Sequence, residues 1–262
     1  MTYSIRQENG FEFIEEGQGH PIVMLHGLFG ALSNWSGVLE HFHNGYRVII
    51  PLMPIYKGKP VAKTVEDLQH FVQGFLKDRR YGPVSLVGNS LGGHVGQLVA
   101  LDTPEQVATL TLTGASGLFE SGMGMGFIKR SDYDFIEDRV AFTFYSPETA
   151  TKELVDEVYG LVNDRMSAMR VVTVARNAQK HNLREELARL HTPTCLIWGL
   201  NDNITPPTVA HEFYHLLPNA ELHFLDHCGH APMMEQSDHF NHVLEGFLAR
   251  NGYASQAVSI VT

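Results

Sequence analysis

Apolar residues in this chain cluster into short runs spaced along its length. IVMLHG, VSLVG, ATLTLTG and TCLIWG are apolar at nearly every position rather than at every second one. Strands buried on both faces read this way, as in a parallel sheet covered by helices. The pattern predicts strands over Phe11–Glu16, Pro21–His26, Tyr46–Pro51, Val84–Gly88, Val107–Thr113, Thr194–Gly199 and Ala220–Leu225. Helical periodicity falls between them, over Val65–Asp78, Gly92–Leu101, Thr208–Leu217 and His239–Arg250. Alternating strands and helices predict an α/β fold with right-handed crossovers. The first two runs, FEFI and PIVM, flank the polar EEGQG and predict an antiparallel hairpin at one edge. From about Leu118 to Leu190 the alternation stops: helix-like segments follow one another with no convincing strand. This predicts an all-helical insertion that caps the edge of the sheet.

Composition narrows the class. Apolar residues make up 44% of the 262 and charged residues only 18%, enough for a large core and unlike a disordered chain. The net charge of −10 argues against nucleic acid or an anionic membrane as partner, because both need a basic footprint. No signal peptide is visible in MTYSIRQENGFEFIEEGQG, and runs such as VIIPLMPIY are too short to span a bilayer. Cys195 and Cys228 are the only cysteines, which reads as reduced and cytoplasmic.

The candidate chemistry begins at VSLVGNSLGGHVGQLVAL, where Gly88, Gly92, Gly93 and Gly96 surround one serine, Ser90. Glycine fills strands and helices poorly, so its density here implies backbones that approach closely. A strand ending at Gly88 and a helix opening near Gly92 would lift the Ser90 hydroxyl out at a helix N-terminus, where negative charge is favoured. A helix-capping serine is the plainer reading of such a motif taken alone. Partners decide between them, since a serine nucleophile needs a base. Of fifteen histidines, His230 lies in LHFLDHCGHAP, just after a predicted strand and therefore at the sheet edge where Ser90 emerges. His227 precedes the glycine of that loop and is the weaker choice; His26, His94 and His239 read as turn, helix-face and helix-start residues. The base needs a carboxylate, and Asp202 follows TCLIWG in LNDNITPPT, where an Asx-turn or capping role is the alternative. The order Ser90, Asp202, His230 is that of one triad arrangement and not of the two other familiar ones. The loop LFGALSNW after PIVMLHG supplies backbone amides for an oxyanion, Leu28 before Phe29, together with that of Leu91.

With HGLFG, VGNSLGG, WGLNDNITP and DHCGHAPMME in place, the sequence resembles the α/β-hydrolase superfamily over nearly its whole length. The resemblance implies an eight-stranded, mostly parallel sheet with a helical cap inserted after strand 6. Residues 1–117 and 191–262 would form the core domain and 118–190 the cap. It also implies the triad Ser90, Asp202 and His230 with an oxyanion hole from Leu28 and Leu91. Serine at position 90 separates it from branches whose nucleophile is a carboxylate. HGLFGALSNW and GNSLGG look like small cytosolic esterases, and GNS is also similar to hydrolases that cleave carbon–carbon bonds in ring-fission products. Those usually carry a glycine-proline-rich oxyanion loop and a tryptophan after the catalytic Gly-His, whereas here the loop is LFGAL and Ala231 follows His230. PLMPIYKGKP departs from the acidic, arginine- and glycine-bearing loop common at that place, leaving Met53, Ile55 and Tyr56 to line the pocket entrance.

The expected function is hydrolysis of a small to medium apolar carboxylic ester by acyl transfer through Ser90. A carbon–carbon hydrolase and a small-molecule receptor that keeps the triad are the alternatives. Phe29, Met123, Met125, Phe127, Met233 and Met234 are the candidate pocket residues. No metal or organic cofactor is expected, and His211, His215 and His223 do not form a convincing ligand set. The cap's mixed charges from Lys129 to Arg139 read as a solvated face. The expected partner is a small-molecule ester, with neither nucleic acid nor membrane, and a homodimer is compatible with the sequence.

Overall fold

A computed structural model describes residues 3–30, 35–57, 60–121 and 129–255. Among these, eight strands form one sheet: β1 (Arg6–Glu8), β2 (Phe11–Gly17), β3 (Pro21–Leu25), β4 (Arg47–Pro51), β5 (Val84–Asn89), β6 (Val107–Thr113), β7 (Thr194–Gly199) and β8 (Ala220–Leu225). Their order in space is β1-β2-β4-β3-β5-β6-β7-β8. Every neighbouring pair from β4 to β8 is parallel, while β1 with β2 and β2 with β4 are antiparallel.

The near-continuous apolar runs are explained by period-2 packing on two faces. Val23 and Leu25 of β3, Leu86 of β5 and Leu196 and Trp198 of β7 enter one core with α2 (Val65–Arg79), α3 (Leu91–Asp102) and α7 (Pro207–Leu216). Ile22 and Met24, Val87, and Cys195 and Ile197 enter the other, against α1 (Ser36–Phe42), α8 (Pro232–Glu235) and α9 (Ser237–Arg250). Each such aliphatic side chain contributes roughly 1.5–3 kcal/mol by leaving water. Helix boundaries follow local chemistry. Thr64 and Asp67 close a reciprocal capping box at the start of α2, and Arg80 ends it in the left-handed conformation.

The expected hairpin between β2 and β3 does not form. β2 pairs with β1 and β4, and β4 slots between β2 and β3. The intervening EEGQG supplies the reason. Gly17 and Gly19 have positive φ, and a Cβ on Gly17 would lie 2.2 Å from the carbonyl oxygens of His43 and Tyr46. These glycines let the chain pass directly under the turn that feeds β4, so the two strands diverge instead of pairing.

Between β6 and β7 the described residues hold α4 (Tyr133–Ala141), α5 (Lys152–Asn163) and α6 (Arg165–Lys180), and no strand. Asp132, Thr151 and Asp164 cap them by accepting bonds from Phe135, Leu154 and Ser167 amides.

The chain runs outward from β3 to β4 and then returns across β3 to β5. Strand order therefore reverses between β3 and β5, and the crevice at their carboxyl ends is where such folds place ligands. Among the described residues, no helix is long and apolar enough to cross a membrane.

Candidate active site

Ser90 occupies that crevice. It sits between β5 and α3 with φ 53° and ψ −119°, a conformation costing about 1–3 kcal/mol in a non-glycine residue. The cost is offset by a turn held on all sides. Ser90 N donates to Thr113 O at 3.1 Å, and Ser90 O accepts from His94 N and Ser116 N, each at 3.1 Å. The glycines act as the sequence implies. A Cβ on Gly88 would lie 2.5 Å from Gly92 O, and one on Gly92 would lie 2.1 Å from Leu25 O. The second contact shows that α3 is also pressed against the end of β3, not only against its own strand.

His230 and Asp202 meet as expected. His230 Nδ1 lies 2.9 Å from Asp202 Oδ2, with both side chains almost wholly buried. Because an ionised carboxylate only accepts, this bond keeps the proton on Nδ1 and leaves Nε2 free to act as a base. Burial pulls the His230 pKa down, but the charge and hydrogen bond of Asp202, with Glu120 and Glu235 beyond, outweigh it and hold it above the ordinary 6.5. Asp202 is also the Asx-turn residue that the loop suggested. Its Oδ1 accepts from Ile204 N at 2.8 Å and Thr205 N at 2.9 Å. The same carboxylate thus closes the turn through Oδ1 and meets His230 through Oδ2. His227, the weaker choice, is exposed with φ 50° and faces Asp226 Oδ2 at 3.3 Å.

Several supports escaped the sequence reading. Thr205 Oγ1 donates to Asp202 Oδ2 at 2.9 Å, and Trp198 Nε1 holds Thr205 O at 2.7 Å. Asn89 Nδ2 bridges Thr113 O at 3.0 Å and His230 O at 3.1 Å, tying the end of β5 to the histidine loop. Gly114 lies under the imidazole, where a Cβ would come 2.8 Å from Nδ1. Glu235 accepts from Gly229 N at 2.8 Å and Tyr145 N at 2.7 Å. Thr205 acts within the NDNIT loop itself, whereas Asn89 meets His230 and Glu235 meets Tyr145 only where loops distant in sequence cross.

Gly27 and Leu28 reach the serine. A Cβ on Gly27 would lie 3.3 Å from Ser90 Cβ. His26 is buried, and burial lowers its pKa, so it is neutral. Its Nδ1–H donates to Gly27 O at 2.8 Å while its Nε2 accepts from Met53 N at 3.2 Å. Gly27 O belongs to the same peptide as the Leu28 N–H, so this bond orients that amide. Leu91 is the first residue of α3, and its N–H has no acceptor within the helix.

A cavity of about 120 Å³ joins these groups, lined by Leu28, Phe29, Ser90, Leu91 and His230 from the sheet edge. Val140, Leu154, Val158, Ala175 and Gln179 line it from the inserted helices. Phe29 and Met234 fall where expected. Met233 does not: it is buried in the core beside α9, because neighbours on a helical turn point about 100° apart and only Met234 faces the cavity. Met123, Met125 and Phe127 lie outside the described residues. Met53 and Ile55 are also core residues and not an entrance lining. Among the described residues the lining carries one carboxyl, Glu120, which accepts from Ser116 Oγ at 2.8 Å; burial raises its pKa, with Ser116 and His230 opposing.

Cys195 and Cys228 are free and buried. Among the described residues, one group has the spacing of metal ligands, Cys195 with Glu221 and His223. Arg250 already donates to Glu221 Oε1 at 2.6 Å there. His211 packs instead against the Phe224 ring.

Comparison with known proteins bears on the family and the fold. A solved α/β hydrolase enzyme from the metagenome of sediments of the Mar Chica lagoon, Morocco, is 38% identical. The match covers 95% of this chain and 100% of that one, with a TM-score of 0.78. A 2-hydroxy-6-oxononadienedioate/2-hydroxy-6-oxononatrienedioate hydrolase of Pseudomonas sp. is 27% identical over 87% of this chain and 88% of its own. A pimeloyl-[acyl-carrier protein] methyl ester esterase of Nitrosomonas europaea is 29% identical over 86% and 94%. The model of the alpha/beta hydrolase family matches residues 22–241, and the chain belongs to that family of hydrolases.

Proposed function

We propose that this chain is a serine hydrolase that cleaves small to medium apolar carboxylic esters through an acyl-enzyme. The observation that carries the reading is the convergence on one mostly apolar cavity of Ser90, held at positive φ, and the buried His230–Asp202 pair at 2.9 Å. His230 Nε2 takes the Ser90 Oγ proton as the oxygen attacks the ester carbonyl, and Asp202 steadies the imidazolium. The amides of Leu28 and Leu91 receive the oxyanion. His230 returns the proton to the leaving alcohol, water repeats the sequence on the acyl group, and the acid leaves. No step in this chemistry calls for a metal or organic cofactor. The inserted helices act as the cap, closing the acyl pocket with Val140, Leu154 and Val158. Two free, buried thiols fit work in the cytoplasm.

A carbon–carbon hydrolase is the second reading, favoured by the name of the Pseudomonas relative. Ala231 after His230 and the LFGAL loop count against it. Steady-state hydrolysis of p-nitrophenyl acetate, butyrate and octanoate by the wild type and Ser90→Ala tests the choice. Turnover that vanishes in the variant supports the esterase, and its chain-length preference sizes the pocket. A wild type that ignores all three esters but cleaves a 2-hydroxy-6-oxodienoate overturns it.

A further inference from the structure

The loop between β4 and α2 makes contacts that reach the Leu28 peptide from outside the cavity lining. Met53 and Ile55 anchor the loop in the core. From there Met53 N reaches His26 Nε2 at 3.2 Å, and the Tyr56 hydroxyl donates to Leu28 O. Arg170 of α6 donates through Nη1 to the backbone carbonyl of Tyr56. Burial raises the pKa of the Tyr56 phenol well above its ordinary value, so it remains a donor. The Leu28 residue is thus gripped on both sides. His26 holds the peptide before it through Gly27 O, and Tyr56 holds the peptide after it through Leu28 O.

We propose that Tyr56 is a positioning residue for the oxyanion hole and that the chain Arg170–Tyr56–Leu28 couples the inserted helices to the Leu28 amide. This rests on the proposed role of Leu28. The amide must meet the oxygen as it moves out of the carbonyl plane, and an amide free to rock loses part of that bond in the transition state only. Removing one oxyanion donor outright costs about 10²–10³ in rate, so loosening one is expected to cost on the order of tenfold. Helix α6 also lines the cavity, through Ala175, Ala178 and Gln179, so a substrate that presses on α6 would act on the amide through Tyr56.

The test compares wild type, Tyr56→Phe, Arg170→Ala and the double variant, with thermal melting to confirm folding. For p-nitrophenyl butyrate, Tyr56→Phe lowers kcat by about tenfold and leaves KM within about twofold. Butylboronic acid, whose boron bonds Ser90 Oγ and becomes tetrahedral and anionic as the serine proton passes to His230, binds more weakly by the same factor. Butyramide, planar and unreacting, binds unchanged. Arg170→Ala gives a smaller loss in the same direction, and this loss disappears in the Tyr56→Phe background.

Equal boronate affinity in wild type and Tyr56→Phe overturns the inference. So does a matching loss of butyramide binding, which would mean a deformed pocket. So does a wild type that forms no boronate adduct. If Tyr56→Phe does not fold, Arg170→Ala decides by the same boronate-against-butyramide comparison. A wild type that turns over no ester, yet binds boronate in a Tyr56-dependent way, refutes the ester reading and leaves this inference standing.

Discussion

The two sides of the cavity are built by different rules. The sheet edge is made of backbone contacts that tolerate no added atom: Gly92 against Leu25 O, Gly114 against His230, Gly199 against Gly229 O. The inserted helices meet the same cavity with Val140, Leu154, Val158 and Ala175, aliphatic side chains on amphipathic helices. On the proposed mechanism the first side fixes the angles of the reacting groups, which lose rate steeply when displaced. The aliphatic lining of the other fills space and excludes water, which apolar residues of similar volume do interchangeably. In that mechanism the reacting groups sit on the first side and the second sets substrate size, with Arg170 of α6 as the link between them.

That contrast breaks most visibly at Ser90. Ser90→Ala is expected to lower kcat for p-nitrophenyl butyrate by up to about 10⁶, as the loss of a serine nucleophile does elsewhere, with KM little changed. Asp202→Asn, which leaves the loop shape but frees the His230 tautomer, is expected to cost about 10⁴. A residual rate near wild type in either variant would remove the residue from the chemistry.

Next in size is a purely steric substitution. Gly92→Ala places a Cβ 2.1 Å from Leu25 O and should destabilise the fold by about 3 kcal/mol, read as a lower midpoint in urea. The matching change across the cavity, Val158→Ala, should keep turnover of the acetate ester and shift preference toward longer acyl chains. If both variants behaved alike, the distinction between the two sides would fail.

The sign of the pH dependence sharpens the comparison further. His230 titrates above 6.5 in the folded chain, so its protonated form stabilises the fold at low pH, and that contribution is lost as pH rises through the raised value. Activity runs the other way, because only neutral His230 is a base. The acid limb of kcat/KM should therefore lie above 6.5. Glu120→Gln removes one of the charges that raise it, and the limb should move to lower pH with little change in the plateau rate. An unmoved limb would show that Glu120 does not act on His230.

The same division explains what could be read from the sequence. The sheet edge was legible because its constraints are local: Gly88, Ser90 and Gly92 are set by one turn, and Asp202 and His230 each follow their own strand by a few residues. Seven of the eight strands coincide with apolar runs; β1 escaped because its three residues are all exposed. The pairing of β2 is not legible in hydropathy, since it depends on where Gly17 lets the chain pass. The contact of Asn89 with His230 escaped because folding brings it across 141 positions, and Tyr56, expected at the pocket entrance, instead reaches Leu28 across 28. Met233 and Met234 are alike in sequence, and only the orientation of α8 separates core from cavity.

The central claim is that Ser90 becomes acylated during turnover. Acid-quenching the wild type during p-nitrophenyl butyrate hydrolysis, followed by peptide mass mapping, tests this directly. The expected result is one butyryl group, on the peptide spanning Val84–Leu101 and localised to Ser90, absent from Ser90→Ala and accumulating with a burst of p-nitrophenol. Steady turnover with no adduct at Ser90, or with the adduct on another residue, would contradict it.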